Sequence, residues 1–341
     1  MLNRKILVTG GLGYIGSHTV VELQNEGFDV VVIDDLSNSS IAVLDGIEAI
    51  TGKQPIFEQF DLRDKQKVQD FFKNHNNIDG VIHFAASKAV GESVVKPLLY
   101  YENNVVTLIY LLQELEKKNK SHFIFSSSRT VYGRLDDKPM SENLSLKSAE
   151  SPYGNTKKIG EDILKDTCMA KQNLSVVSLR YFNPIGAHSS SMIGELPLGE
   201  PQNLVPYITQ TAMGIHKELK VFGGDWPTKD GTCIRDYLHV VDLAKAHITA
   251  LKRLLNGENE SNFEYFNLGS GKGNTVLEVI DSFERVSGRK LKYQIVGRRS
   301  GDDAIAYADT NKANEVLGWK AESTLDEAIK SAWDWEQKIR N

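Results

Sequence analysis

Thr9-Gly10-Gly11-Leu12-Gly13-Tyr14-Ile15-Gly16 decides how this chain is read. The octet follows the apolar run Ile6-Leu7-Val8 and leads into a helical pattern that begins near Gly16. Gly11, Gly13 and Gly16 fit G-x-G-x-x-G, while Gly10, Gly13 and Gly16 fit the wider G-x-x-G-x-x-G. Glycines so spaced permit a tight turn and let backbone approach a pyrophosphate seated on the helix N-terminus. A second apolar run, Val30-Val31-Val32-Ile33, ends in Asp34. A carboxylate there accepts hydrogen bonds from an adenosine ribose and repels a 2′-phosphate, so the loop is expected to take NAD rather than NADP. Strand, loop, helix, strand and acid stand in register, which a ligand-free glycine turn does not require. Asp61, at another strand end, reads either as a contact to the adenine or as an N-cap.

The same texture continues through the N-terminal two-thirds. Val81-Ile82-His83-Phe84, Phe123-Ile124-Phe125 and Val176-Val177-Ser178-Leu179 read as further buried strands. They are β-branched and lack polar alternation, which suits a parallel sheet covered on both faces. Crossover helices are expected near Gly16, over Lys65 to Lys73, and from about Pro97 to Lys117. The alternation predicts an α/β fold built on a doubly wound parallel sheet of the Rossmann kind. From about Gly186, closely spaced Gly and Pro interrupt any period, so a smaller, loop-rich, interleaved cap for substrate is expected there. Residues 1–185 are assigned mainly to dinucleotide binding and 186–341 mainly to the cap. About 235–270 returns in part to the first unit, through a strand at Phe263–Leu268. Helices at Thr275–Ser287 and Leu325–Ile339 are expected to close the chain.

Composition narrows the partners. The 341 residues carry 40 Lys+Arg and 45 Asp+Glu, a net charge of −5, so no nucleic-acid partner is expected. No apolar run approaches the ~20 residues that span a bilayer, and no membrane association is expected. Cys168 and Cys233 alone make neither a disulfide framework nor a four-ligand zinc site, and the eight histidines lack ligand spacing, so no metal is expected. The start lacks the roughly 7–15-residue apolar core of a signal peptide, and a cytoplasmic location is expected.

The chemistry concentrates elsewhere. In Tyr153-Gly154-Asn155-Thr156-Lys157 a phenol and an ammonium stand at i and i+4, on one helix face. Pro152 suits the first helical turn. Ser126-Ser127-Ser128 closes the strand His122–Phe125 at the carboxyl edge, where such sheets bind ligands. These groups suit proton abstraction from an alcohol. A phenol of reference pKa ~10 is a poor base, and lowering it by ~3 units takes about 4 kcal/mol of differential stabilisation. Lys157 and a positively charged nicotinamide are the two cations expected to supply it. Ser128 would hydrogen-bond and orient the same hydroxyl.

Together these motifs resemble the extended short-chain dehydrogenase/reductase superfamily. Three longer stretches are similar to the UDP-glucose 4-epimerase family within it: His83–Ser93, Arg180-Tyr181-Phe182-Asn183-Pro184 and Gly231–Val240. The resemblance runs from the first strand to the last helix. It implies an isomerase that inverts C4 of UDP-hexoses through a transient 4-keto sugar, with NAD tightly bound and regenerated each turnover, in a homodimer. It implies Tyr153 as base, Lys157 as the group that lowers its pKa and holds the nicotinamide ribose, and Ser128 on the 4-oxygen. For NAD it implies Gly10, Gly13, Tyr14, Ile15, Gly16, Asp34, Asp35, Asn38, Asp61, Leu62, Phe84, Ala85, Lys88, Asn103 and Phe182, besides Tyr153 and Lys157. For the UDP-sugar it implies Lys88, Asn183, Asn203, Leu204, Val221, Phe222, Arg235, Arg299 and Asp302, besides Ser128 and Tyr153. Two planar guanidiniums, Arg235 and Arg299, suit a pyrophosphate; a solvated or structural ion pair is the plainer reading of each.

Two departures from the family pattern stand out. Counting from Arg299 to Asp309 puts Ala306, with Tyr307 beside it, where strict glucose/galactose members carry a tyrosine near the sugar C2. A small residue there implies room for an N-acetyl group, hence UDP-GlcNAc/UDP-GalNAc interconversion as well, unless Tyr307 takes the position. Arg129 follows the serine triplet and is expected to point away from the sugar. Alternatives are a nucleotide-sugar dehydratase or decarboxylase, and an NAD-sensing binding protein. Ser128-Arg129-Thr130 lacks the acid an elimination needs, and a sensor has no need of a base. The stretch Leu98-Leu99-Tyr100-Tyr101 through Leu111-Leu112 is expected either to bury a helix pair against a second subunit or to face the core.

Overall fold

In a computed structural model of the chain, residues 4–134, 139–299 and 301–340 are described. The strands are β1 (Lys5–Thr9), β2 (Asp29–Asp34), β3 (Ile56–Gln59), β4 (Ile78–His83), β5 (Ser121–Ser128) and β6 (Leu174–Tyr181). Beyond them come β7 (Asn183–Ile185), β8 (Leu219–Phe222), β9 (Ile234–His239), β10 (Phe263–Leu268), β11 (Gly273–Thr275), β12 (Tyr293–Val296) and β13 (Ile305–Ala306). The main sheet runs β10-β6-β5-β4-β1-β2-β3, parallel throughout. Strand order reverses between β1 and β4, which makes their carboxyl edge the switch point where ligands bind.

The helices are α1 (Tyr14–Asn25), α2 (Val43–Thr51), α3 (Lys65–Asn74), α4 (Val90–Val95), α5 (Pro97–Tyr101), α6 (Thr107–Leu115) and α7 (Pro152–Ala170). In the C-terminal part they are α8 (Leu204–Ala212), α9 (Val240–Asn256), α10 (Val276–Ser287) and α11 (Leu325–Arg340). Strand periodicity sorts the core into two layers. Ile6, Val8, Val30, Val32, Ile82, Val177 and Phe266 face α1, α2 and α9. Leu7, Val31, Ile33, Val81, Phe123, Phe125 and Val176 face α3, α6 and α7. Both faces of each central strand are apolar, so these segments read as unbroken hydrophobic runs.

The expected long helix from Pro97 is helical to Leu115, but a π-helical turn at Glu102–Val106 separates α5 from α6. The serines expected to follow the fifth strand lie within it, since β5 continues to Ser128. The C-terminal part is more regular than its Gly and Pro content suggests. β9 is flanked by β11 on one side and β13 on the other, with β7 also paired to it, while β8 and β12 form a separate parallel pair. These strands are short and their partners distant in sequence, so no local period announces them. α9 and β10 rejoin the main layers, with Leu243, Leu251, Leu254, Phe266 and Leu268 in the first core.

The octet opens α1 with backbone in close contact. Gly10 holds φ +67, and a Cβ on it would stand 2.8 Å from the Ala85 amide nitrogen. A Cβ on Gly16 would stand 2.2 Å from the Gly10 carbonyl oxygen, which cannot yield as a flexible side chain would. Gly16→Ala is accordingly expected to destabilise the protein by about 1–3 kcal/mol. Urea unfolding checks this; an unchanged midpoint contradicts the packing described.

Candidate active site

The nucleotide end is built on β1, β2 and α1. Gly13 occupies the N-cap position of α1 without a side-chain cap, so the first amides of the helix face the loop. Asp34, buried at the end of β2, accepts hydrogen bonds from the Leu12 amide (3.1 Å), the Leu36 amide (2.9 Å) and the Ser39 hydroxyl (2.7 Å). It clamps the loop as well as facing the ligand edge. Leu36 stands at φ 63, a left-handed conformation unusual for leucine, in the turn that Asp34 closes. Asp35 binds the Ser37 amide and hydroxyl, and Asn38 follows in the same turn. Asp61 is held by Arg63, whose hydrogen bond keeps the carboxyl below the usual carboxylate range. The N-cap of α3 is Asp64 instead, accepting from the Lys67 amide. Leu62 is buried, Ile15 and Phe84 pack on the first core, and Ala85 packs on the second. Tyr14 donates its hydroxyl to the Gly186 carbonyl at 2.6 Å, joining the loop to the chain after β7.

Ser128, Tyr153 and Lys157 come together where α7 begins above the end of β5. Ser151 caps α7 by accepting from the Gly154 amide, and Pro152 takes the first turn. Tyr153 and Lys157 are both buried. The Tyr153 phenol is hydrogen-bonded with Ser128; burial nevertheless outweighs this bond and raises its pKa. The Lys157 ammonium donates to the Ser126 carbonyl at 2.8 Å and lies 5.1 Å from the centre of the Phe125 ring. Burial pulls its pKa down to about 8, against the pull of Glu161 upward. His83 lies beneath this group, bonded to Thr9 at 2.7 Å and kept neutral by burial, with its pKa lowered to about 3.

Two guanidiniums come from the C-terminal part. Arg235 on β9 donates to the carbonyls of Ile234 (2.9 Å) and Asp303 (2.7 Å) and reaches Asp302 at 3.4 Å. Arg299 binds Asp302 through two nitrogens (2.9 and 3.1 Å) and lies 5.5 Å from the centre of the half-exposed Phe222 ring. Both arginines are thus held by one carboxylate, so the plainer ion-pair reading describes them in this state. Arg129 pairs with the buried Asp303 at 3.0 Å. Val221 is buried beside Phe222 on β8. Ala306 pairs with Arg235 in register and shares its face of the sheet. It is fully buried, in one apolar cluster with Tyr132, Met140 and Phe182. Tyr307 faces the other way, toward Gly273.

Glu195 escaped the sequence reading. Asn203, the N-cap residue of α8 before Leu204, donates to Glu195 at 2.6 Å, and Lys88 approaches the same oxygen at 3.8 Å. Asn104 was also missed. The π-helical turn lets Asn103 reach the Ser87 hydroxyl at 2.8 Å while Asn104 binds both backbone groups of Ser87 and the Thr156 hydroxyl. A regular helix would point successive residues 100° apart, so the 3.6-residue period carries no signal for this pair. Asn183, at the start of β7, lies beside Tyr237 of β9. Among the described residues no cluster of three His, Cys, Asp or Glu could hold a metal.

A glycine loop at the sheet's switch point, a buried Ser-Tyr-Lys group and two arginines held by one carboxylate fit an enzyme of the short-chain dehydrogenase/reductase kind. A family model described as GDP-mannose 4,6 dehydratase matches residues 7–332. A UDP-glucose 4-epimerase of Bacillus subtilis is 49% identical over 336 residues, covering 98% of each chain. The UDP-glucose-4-epimerase of Stenotrophomonas maltophila, crystallised with NAD and formylated UDP-arabinopyranose, superimposes with a TM-score of 0.95 at 45% identity, covering 99% of both chains. The UDP-Glc/GlcNAc 4-epimerase of Campylobacter jejuni gives 0.84 at 37% identity, covering 98% of this chain and 99% of that one. The chain belongs to the UDP-glucose 4-epimerase family.

Burial dominates over the Ser128 hydrogen bond and keeps the phenol of Tyr153 above its ordinary 10.0. In protein freed of nucleotide, an ultraviolet difference titration of wild type against Tyr153→Phe should show no tyrosinate from this residue at neutral pH. A Tyr153 signal near pH 7 would mean that Lys157 alone is enough.

Proposed function

We propose that this chain is an NAD-dependent UDP-hexose 4-epimerase, interconverting UDP-glucose and UDP-galactose through a transient 4-keto sugar. The observation that carries this reading is the buried Ser128–Tyr153–Lys157 group at the carboxyl edge of β5. The loop fits a dinucleotide: Gly10, Gly11 and Gly16 have no room for a Cβ, so its backbone packs closely, and its helix end carries no side-chain cap. The octet, Asp34, Asp35, Asn38, Asp61, Leu62, Phe84, Ala85, Lys88, Asn103 and Phe182 would hold NAD, which supplies a hydride acceptor and donor at the sugar C4. Tyr153 takes the 4-hydroxyl proton and returns it after the sugar has turned. Ser128 holds the 4-oxygen in line, and Lys157 stabilises the phenolate. Asn183, Asn203, Leu204, Val221, Phe222, Arg235, Arg299 and Asp302 would grip the UDP end. On this reading residues 1–185 serve mainly the dinucleotide and 186–341 mainly the UDP-sugar.

A dehydratase on the same fold must expel water. Arg129 occupies the position after Ser128 and is paired to Asp303, so elimination lacks its acid there. The N-acetyl reading draws support from Ala306 sharing a face with Arg235 while Tyr307 faces Gly273. Because Ala306 is fully buried, an acetamido group gains its room by local repacking of the Met140–Ala306 cluster.

The homodimer reading rests on α4 and α5. Tyr100, Leu108, Leu111 and Leu112 belong to the subunit's own interior, whereas Val94, Val95 and Leu98 are 62, 78 and 81% exposed. This apolar patch suits a second copy. No described helix is long and apolar enough to cross a membrane, and a cytoplasmic setting is part of the proposal.

Tyr153→Phe should lower turnover of UDP-galactose by about 10²–10⁴-fold while NAD stays bound, measured by coupled assay and by the nucleotide released on denaturation. Retained turnover removes Tyr153 as the base. Wild type should convert UDP-GlcNAc to UDP-GalNAc, and Ala306→Tyr should abolish that activity while sparing UDP-galactose. No UDP-GalNAc from wild type, under conditions that turn over UDP-galactose, defeats the N-acetyl reading.

A further inference from the structure

A buried ion pair lies directly behind the catalytic group, and no step above uses it. Glu161, one turn beyond Lys157 on α7, binds Arg180 of β6 through both oxygens, at 2.6 Å for the closest contact, with each side chain 4% exposed. One of its oxygens also accepts from Ser127 (2.6 Å) and Ser178 (2.8 Å). Ser127 sits between Ser126, whose carbonyl takes the Lys157 ammonium, and Ser128, whose hydroxyl meets Tyr153. The Arg180 guanidinium continues to the Tyr132 hydroxyl (3.0 Å), which donates to Asn267 (2.7 Å). An ion pair with this little solvent rarely adds net stability over apolar packing, so a purely structural role does not account for its cost.

We propose that Glu161 is a positioning residue for this reaction: its carboxylate fixes the Ser126–Ser128 strand end against α7 and supplies the countercharge to the Lys157 ammonium. The inference rests on the epimerase reading. Tyr153, Lys157 and Glu161 recur at four-residue intervals along one face of α7. Among the described residues, the other groups facing Lys157 add no negative charge: the Phe125 ring and Ser126 carbonyl on β5, and neutral His83 on β4. Arg180, on β6, is a cation directed at Glu161. Glu161 is therefore the carboxylate that keeps this buried ammonium protonated, as the direction of its influence on Lys157 indicates.

Removing that charge lets Lys157 lose its proton at lower pH. Glu161→Gln in the NAD-loaded protein should lower kcat for UDP-galactose by about 10- to 100-fold, with KM and bound NAD close to wild type. The alkaline limb of kcat should move down by about one pH unit. Wild-type turnover, measured first, tests the epimerase reading by itself; the variant is then compared with it. Unchanged kcat, or a loss of kcat with the limb unmoved as a structural prop would give, overturns the proposal. Should Glu161→Gln fail to fold, Ser127→Ala decides, since it leaves the ion pair intact. A several-fold lower kcat at unchanged KM supports the positioning role, and wild-type kcat overturns it.

Discussion

A lysine ammonium buried beneath a sheet edge has few places to put its three protons, and where it puts one determines the rest of this site. Lys157 donates to the Ser126 carbonyl, which requires α7 to lie over the last residues of β5. That contact brings Tyr153, four residues earlier, to the Ser128 hydroxyl. It is possible because β5 extends to Ser128, and because Gly160 allows the helix to sit against the Phe125 ring, where a Cβ would stand 2.7 Å from the ring edge. Helix, strand end and phenol are thus held by this charge-assisted hydrogen bond and this close packing contact, together with the bond from Ser127 of the strand end to Glu161 of α7. The parallel sheet beneath, apolar on both faces, supplies the rigidity that such a contact needs.

How far this could be seen in the sequence depends on whether a feature is local. The glycine octet, Asp34 and the central strands are local patterns, and each appears where its residues placed it. Tyr153 and Lys157 are also local, sharing a helix face at fixed spacing. β3 was harder, because an edge strand with exposed Ile56 and Gln59 lacks the apolar run that marked its neighbours. β9, which carries Arg235, obtains its partners from residues 183–185, 273–275 and 305–306. No window of sequence contains that arrangement. Glu161 was visible as one of several charges on α7 and Arg180 as the charge in a mostly apolar strand, but their pairing is a fact of the α7–β6 crossing. The side of the strand taken by Ala306 rather than Tyr307 likewise follows from register with Arg235.

The two ends of the cleft differ in kind, and the difference matters for the proposed reaction. At the arginine end Asp302 binds Arg235 and Arg299, while Asp303 takes Arg129 at 3.0 Å and Arg134 at 3.8 Å. Four guanidiniums meet two carboxylates there, with Glu150 also acting on Arg129, and on the proposed reading the positive charge left over would face a pyrophosphate. A ligand there need not displace Asp302 outright, since the second edge of a guanidinium can serve a phosphate while the first keeps its carboxylate.

Beside Arg235, Ala306 packs in a buried apolar cluster with Phe182 and Tyr132. On the proposed reading the guanidiniums would hold the nucleotide, while Lys157 is the charge nearest the hexose C4. A sugar that must offer both faces of C4 to one hydride donor cannot be held by several strong hydrogen bonds on its ring, because each would have to break during the rotation. Binding energy is better placed on the part that does not move. On the proposed reading, Arg235 and Ala306, paired at one register position on β9 and β13, put a charge for the nucleotide beside a small apolar side chain, so that one site can hold the nucleotide firmly and leave the reacting ring loosely held.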